Sequence, residues 1–265
     1  MLKTLLARVH QKHRTVAFPR QPPALPDRFR GRPEIESAKC PAGCRACAEV
    51  CPTAAIVVSE TGVRLDLGRC LFCPECGSAC LPGALRMTRE HRLAASDRNA
   101  LVVGGKELQL ARALDKKARR LFGRSLKLRQ VSTGGCNGCE ADVNVLNTVV
   151  FDLGRFGIQF VASPRHADGL LITGPVTHNM ESALRGTYEA MPPPKLVIAV
   201  GACAISGGPY YDHAQQHNGL DGLLPVDLYV PGCPPHPVTI LDGLLRMLGR
   251  ADSASDSARW GSFKA

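Results

Sequence analysis

The spacing of apolar residues changes near residue 126. From there to about residue 250, short apolar runs at 126–131, 158–162, 169–173, 196–200 and 227–230 alternate with stretches at 140–153, 179–191 and 236–248 whose apolar residues recur at helical spacing. Buried strands alternating with helices predict a parallel sheet covered on both faces, here over residues 126–250. Upstream the pattern is different. Residues 1–33 begin with Leu2, Leu5, Leu6 and Val9, one face of an amphipathic helix, and continue as an extended arm with Pro19, Pro22, Pro23 and Pro26. Residues 34–95 hold too few apolar residues for an independent core. Residues 96–125 read as a basic linker, with a charged helix over 106–122. The tail, 251–265, is rich in Ser and Ala and is expected to be flexible.

Composition narrows the class. With 265 residues, 45% hydrophobic and 21% charged, the chain is globular rather than disordered or collagen-like. The longest apolar run, 196–205, is about half the ~20 residues that span a bilayer. The first residues, interrupted by Lys3 and Arg8, make a poor secretory signal, so a cytoplasmic location is expected. The net charge of +10 is concentrated in residues 1–32 and 97–129. Neither segment interleaves aromatic residues or presents a reading helix, so a partner subunit or membrane surface is expected rather than nucleic acid.

Twelve cysteines decide the chemistry. Thiols stay reduced in the cytosol, which makes metal their natural use, and twelve divides into three sets of four. Cys70-Leu-Phe-Cys73-Pro-Glu-Cys76-Gly-Ser-Ala-Cys80 has the C-x2-C-x2-C-x3-C spacing that wraps a cubane. Cys40-Pro-Ala-Gly-Cys44-Arg-Ala-Cys47-Ala-Glu-Val-Cys51 is a second copy with one extra residue after Cys40. Leu81 stands where a proline usually follows the last cysteine. Two zinc sites are the alternative, since C-x2-C is also a zinc spacing, but no histidine is interspersed.

These two runs resemble the bacterial two-cluster ferredoxin domain. The resemblance implies a small α+β fold in which Cys40, Cys44, Cys47 and Cys80 hold one 4Fe–4S cluster, and Cys70, Cys73, Cys76 and Cys51 hold a second. The preceding Thr15-Val-Ala-Phe-Pro19 and Phe29-Arg-Gly-Arg-Pro33, with Leu67-Gly-Arg-Cys70, are similar to the two-cluster subunits of respiratory complex I and formate hydrogenlyase. In that family the leading helix lies near the membrane arm.

The other four cysteines follow expected strands. Cys136 and Cys139 lie in Thr133-Gly-Gly-Cys-Asn-Gly-Cys-Glu140, Cys203 in Gly201-Ala-Cys-Ala204 and Cys233 in Pro231-Gly-Cys-Pro-Pro235. All three loops leave carboxyl ends of strands, where parallel sheets build their sites, and glycine lets backbone amides approach a cluster. Their convergence predicts a third 4Fe–4S site. Together with Ser163-Pro-Arg-His-Ala-Asp168 and Thr173-Gly174, these motifs resemble the small subunit of membrane-associated nickel–iron hydrogenases of the formate hydrogenlyase type. The complex I subunit carrying the terminal cluster is a cousin, with adjacent cysteines where this chain has Cys136-Asn-Gly-Cys139.

The resemblances imply a flavodoxin-like α/β parallel-sheet domain preceded by a ferredoxin-like domain, carrying three 4Fe–4S clusters. They imply an electron-transfer subunit of an energy-converting hydrogenase, peripherally attached to the inner membrane face. Its partners would be a catalytic large subunit, membrane subunits and an external donor or acceptor. A complex I-like subunit delivering electrons to quinone is the alternative, and a zinc-stabilised scaffold the other. No catalytic residue is expected in the chain itself. Glu140 reads as a favourable charge opening a helix rather than part of a proton route. Arg165 and His166 suit a surface turn as well as a partner contact or a place beside a cluster, and His178 carries no assigned role. Val103-Gly-Gly-Lys106 is too short for a phosphate loop, and no G-x-G-x-x-G follows a strand.

Overall fold

The computed structural model describes residues 2–12, 14–60, 62–104, 108–123 and 125–251. The chain opens with α1 (Leu2–Gln11), whose Leu2, Leu5, Leu6 and Val9 are all exposed. Then come β1 (Pro33–Ile35), α2 (Ala46–Glu49), β2 (Ile56–Ser59), β3 (Gly62–Asp66), α3 (Glu75–Ala79), β4 (Leu85–Met87) and β5 (Val102–Val103). β1 pairs with β4, and β2, β3 and β5 form a second small antiparallel sheet. These elements do not close a core of their own: Ile56, Leu65, Leu67 and Phe72 share one buried cluster with Ile172, Ala199 and Ile205 from the larger half.

The helix expected over 106–122 is shorter. Only α4 (Lys116–Phe122) forms, and residues 105–107 lie outside the described residues. The preceding amides are bonded elsewhere: Ala111 N–H donates to the Ala94 carbonyl (2.7 Å), Leu114 N–H to Met247 (2.9 Å) and Arg112 N–H to Ser96 Oγ (3.0 Å). Amides so engaged cannot bond four residues back, so tertiary pairing overrides helical propensity. The helix starts where Asp115 accepts from the Ala118 N–H at 2.8 Å, a side-chain N-cap. The Ser/Ala-rich tail from Asp252 onward also lies outside the described residues.

The larger half continues through β6 (Leu126–Ser132), α5 (Gly138–Val145), β7 (Ile158–Phe160), β8 (Gly169–Thr173), α6 (His178–Glu189), β9 (Leu196–Val200), α7 (Ala202–Ser206), β10 (Leu228–Val230) and α8 (Pro237–Met247). Its five strands are all parallel, in the order β10-β9-β8-β6-β7. Counted from β6, this is 2-1-3-4-5, the flavodoxin-like order, as expected. β8 and β9 are buried at every position. Burying Leu170, Leu171 and Ile172 contributes about 1.5–3 kcal/mol each, which anchors the carboxyl edge where the cysteine loops begin. α5 ends at Val145, well short of residue 153, and the chain turns back so that Leu153 N–H donates to the Leu146 carbonyl at 3.0 Å. α8 is buried all round, and its Arg246 Nε donates to Asp242 Oδ2 at 2.8 Å, pairing two charges that burial would otherwise make costly. Among the described residues no helix is long and apolar enough to cross a membrane.

His91 sits where the N-terminal arm meets the larger half, edge-on to Phe18 at 5.8 Å between ring centroids. Its Nε2 has no hydrogen-bond partner, and burial pulls the imidazole down to about 4 from its ordinary 6.5. Between those values the unfolded chain binds a proton that the folded chain refuses. Folding stability should therefore fall as pH drops from about 6.5 to about 4, by about 3 kcal/mol in total. A His91→Leu chain should show a flatter urea-midpoint curve in that window. An equally steep curve would assign the loss to other groups.

Candidate metal centres

The third set of cysteines is built by the ends of three strands. β6 runs out at Ser132, and Asn137, in the left-handed region (φ 69°), turns the chain into α5, placing Cys136 before the helix and Cys139 in its first turn. β9 ends at Val200, and Gly201 leads directly into α7, a short helix that carries the buried Cys203. Beyond β10, Cys233 sits in the turn before α8. Gly201 is at φ +91°, and a Cβ there would collide with the Cys139 sulfur, so only glycine lets this backbone pass so near the thiol.

Electrostatics group the same four sulfurs. Burial pushes the Cys139 thiol far up, reinforced by Cys203, Glu140, Cys233 and Cys136. Cys203 is pushed up to about 12 by burial, then by Cys233, Cys136 and Glu140. Protonated neutral thiols are what such a cage holds by itself; a cationic metal centre would hold them as thiolates. Glu140 is buried in the first turn of α5, where its Oε1 accepts from Ser132 Oγ (2.6 Å) and Thr173 Oγ1 (2.8 Å). One side of the set is open: Cys136, Asn137 and Pro234 are exposed.

The other eight cysteines fall into two groups. The Cys47 thiol is raised by burial, then by Cys80, Cys40 and Cys44. The extra residue after Cys40 is absorbed at Gly43, which takes φ +75° in open space. Burial lifts Cys70 to about 12 and Cys76 to about 11, and Cys51 and Cys73 add to both. Cys51, Cys70, Cys73 and Cys76 line one small cavity with Thr53 and Ile56. Backbone amides are aimed at sulfur in both groups: Ala55 N–H donates to Cys51 (3.2 Å), Phe72 to Cys70 (3.3 Å) and Leu85 to Cys80 (3.4 Å). Such donors stabilise negative charge on a thiolate or cluster. Leu81, in the usual proline's place, is fully exposed.

The three groups adjoin. Cys47 also raises Cys76, linking first to second, and Cys73 also raises Cys233, linking second to third. Ser206 Oγ donates to the Gly68 carbonyl at 2.9 Å, fastening α7 to the turn before Cys70. Arg165 and His166 lie in an exposed turn. His178, given no role from sequence, opens α6 and bonds a second histidine, His217. Two histidines 39 residues apart carry no local signal, so the pattern of residues along the chain does not announce the pair.

The fold and site define a parallel α/β domain with four thiols at the carboxyl edge of its sheet, fastened to a smaller part with eight more. Comparison with known proteins gives the family. The model of the NADH ubiquinone oxidoreductase, 20 Kd subunit, matches residues 136–247. A probable membrane-bound hydrogenase subunit of Pyrococcus furiosus is 44% identical over 138 residues, 51% of this chain and 83% of that protein. Formate hydrogenlyase subunit 7 of Escherichia coli is 46% identical over 126 residues, 48% of this chain and 49% of that protein. An NADH-quinone oxidoreductase subunit of Citrifermentans bemidjiense is 47% identical over 115 residues, 43% of this chain and 67% of that protein. The chain belongs to the 20 kDa subunit family of NADH–ubiquinone oxidoreductase, a family of oxidoreductase-complex subunits that includes hydrogenase members.

Proposed function

We propose that the chain is an electron-transfer subunit of a membrane-associated, energy-converting nickel–iron hydrogenase complex, joining a two-cluster ferredoxin-like module to a hydrogenase small-subunit domain. The observation that carries this reading is the run of three adjoining four-thiol groups, ending in one that is open to a partner. The ligand sets are Cys40, Cys44, Cys47 and Cys80; Cys51, Cys70, Cys73 and Cys76; and Cys136, Cys139, Cys203 and Cys233. Four thiols per set, amide donors on sulfur and glycine at close approach suit 4Fe–4S clusters. No histidine stands within either cysteine run, and backbone amides are aimed at the sulfurs, which supports clusters over zinc.

When bound, such clusters supply reversible one-electron carriage. The chain's own residues do the rest. Burial around Cys70, Cys76, Cys139 and Cys203 keeps water from the sulfurs, and the amides of Ala55, Phe72 and Leu85 orient and stabilise them. The spaced pair Cys136-Asn-Gly-Cys139 favours hydrogenase over the complex I-like reading, which the identity to the NADH-quinone oxidoreductase relative keeps in view. Purification of the native complex separates the two. A nickel-containing partner is expected, with hydrogen activity absent from the isolated chain and docking weakened by bulky charged substitutions at Asn137 or Pro234. A nickel-free partner that reduces quinone would overturn the hydrogenase reading.

A further inference from the structure

Away from the cysteines, α6 carries His178 and Glu181 three residues apart on one face, and His217 meets them from the loop after α7. Backbone contacts preset this meeting. His178 N–H donates to the Gln215 carbonyl (3.1 Å), His217 N–H donates to Val176 (3.0 Å), and Thr177 bridges Gln216. His178 Nε2 lies 3.1 Å from the Ala214 carbonyl, to which it can only donate, so in a neutral ring Nδ1 is a lone pair. That lone pair faces His217 Nε2 at 2.7 Å, and the same Nε2 faces Glu181 Oε2 at 2.8 Å. The other carboxylate oxygen, Oε1, accepts from Arg185 Nε at 2.8 Å. One proton at most, on His217 Nε2, therefore serves two acceptors.

We propose that His178 Nδ1, His217 Nε2 and Glu181 Oε2 form a binding site for a divalent transition-metal ion of the zinc class. The ion would take the place of the shared proton, with His217 keeping a proton on Nδ1 and presenting Nε2. Two imidazoles and a carboxylate are the donors this class of ion accepts, and the remaining position is left to water. Two nitrogens on one zinc stand about 3.3 Å apart, so the rings need part by only roughly half an ångström. The outer contacts are also those of a metal site: a carbonyl fixes the tautomer of His178, and a guanidinium fixes the carboxylate.

Occupation has a structural consequence. The loop that carries His217 also lays Gly208 against Cys203, where a Cβ would come within 2.9 Å of the sulfur, and places Tyr211 beneath Arg69 at 3.8 Å. An ion shared between α6 and His217 clamps this loop over the third cysteine set. The site uses no thiol, which makes it separable from every cysteine group.

The test is zinc titration of the full chain, loaded anaerobically with iron and sulfide, against a competing chromogenic chelator. The wild-type chain should bind one zinc more than either His217→Asn or Glu181→Gln, or bind that zinc at least about a hundredfold more tightly, with unchanged iron content. Glu181→Gln keeps an amide oxygen to accept from Arg185 and turns its amide N–H to the His217 Nε2 lone pair, so the contacts survive while the anionic ligand is lost. Zinc should also raise the melting temperature of the wild-type chain more than that of Glu181→Gln. Crystals soaked in zinc should give an anomalous peak between the three named atoms. Equal zinc stoichiometry and affinity in all three chains, or a peak at sulfur alone, would reduce the trio to a hydrogen-bond network and overturn the proposal.

Discussion

Cys139→Ser should remove about a third of the iron, from about twelve to about eight atoms per chain, with labile sulfide falling in step. Cys139 is the thiol on which the rest of its set acts: Cys203, Cys233 and Cys136 all raise it, along with Glu140. A serine hydroxyl at this depth stays protonated and ligates poorly, so the set loses a corner. The other two groups are framed by α2, α3 and the small antiparallel sheets, and their sulfurs keep the amides of Ala55, Phe72 and Leu85. Their iron should persist. Iron and sulfide assays, paired with low-temperature spin resonance of the reduced chain, check this. Unchanged iron would remove Cys139 from the ligand set, and complete loss would show that the three groups assemble only together.

The second large effect is expected at Gly201. Valine there meets two penalties at once: φ +91° is a region L side chains rarely adopt, and the new Cβ runs into the Cys139 sulfur. Backbone strain costs about 1–3 kcal/mol and overpacking a similar amount. Gly201→Val should lower the urea midpoint markedly and deplete the third set of iron. Gly186→Ala is the control. It lies inside α6 with nothing within 4 Å of an added Cβ, and alanine in a helix interior is favoured by about 0.5–1 kcal/mol. Equal midpoints for the two variants would show that the close passage at Gly201 is not a constraint.

The sheet was legible in sequence because its strands are buried on both faces, and continuous apolar runs at 169–173 and 196–200 announce that directly. α7 was hidden by the same property. The run 196–205 stays apolar through Gly201, so strand and helix merge, and the pattern has no period by which to divide them. The segment 108–114 failed for a different reason. Its non-helical path is set by carbonyls at Ala94 and Met247, which lie outside the segment and belong to other parts of the fold. At the candidate site, C-x2-C spacing marked the cysteines, but the adjacency of Cys73 to Cys233 and of Cys47 to Cys76 comes from tertiary packing alone. Glu140 was readable as a first-turn charge. Its burial between Ser132 and Thr173 was not, because both partners belong to strands whose register fixes the contact.

The central claim is that all twelve cysteines hold three 4Fe–4S clusters, and iron and acid-labile sulfide per chain after anaerobic reconstitution of the full chain test it most directly. About twelve of each is the predicted result. Stoichiometric zinc without sulfide would contradict it.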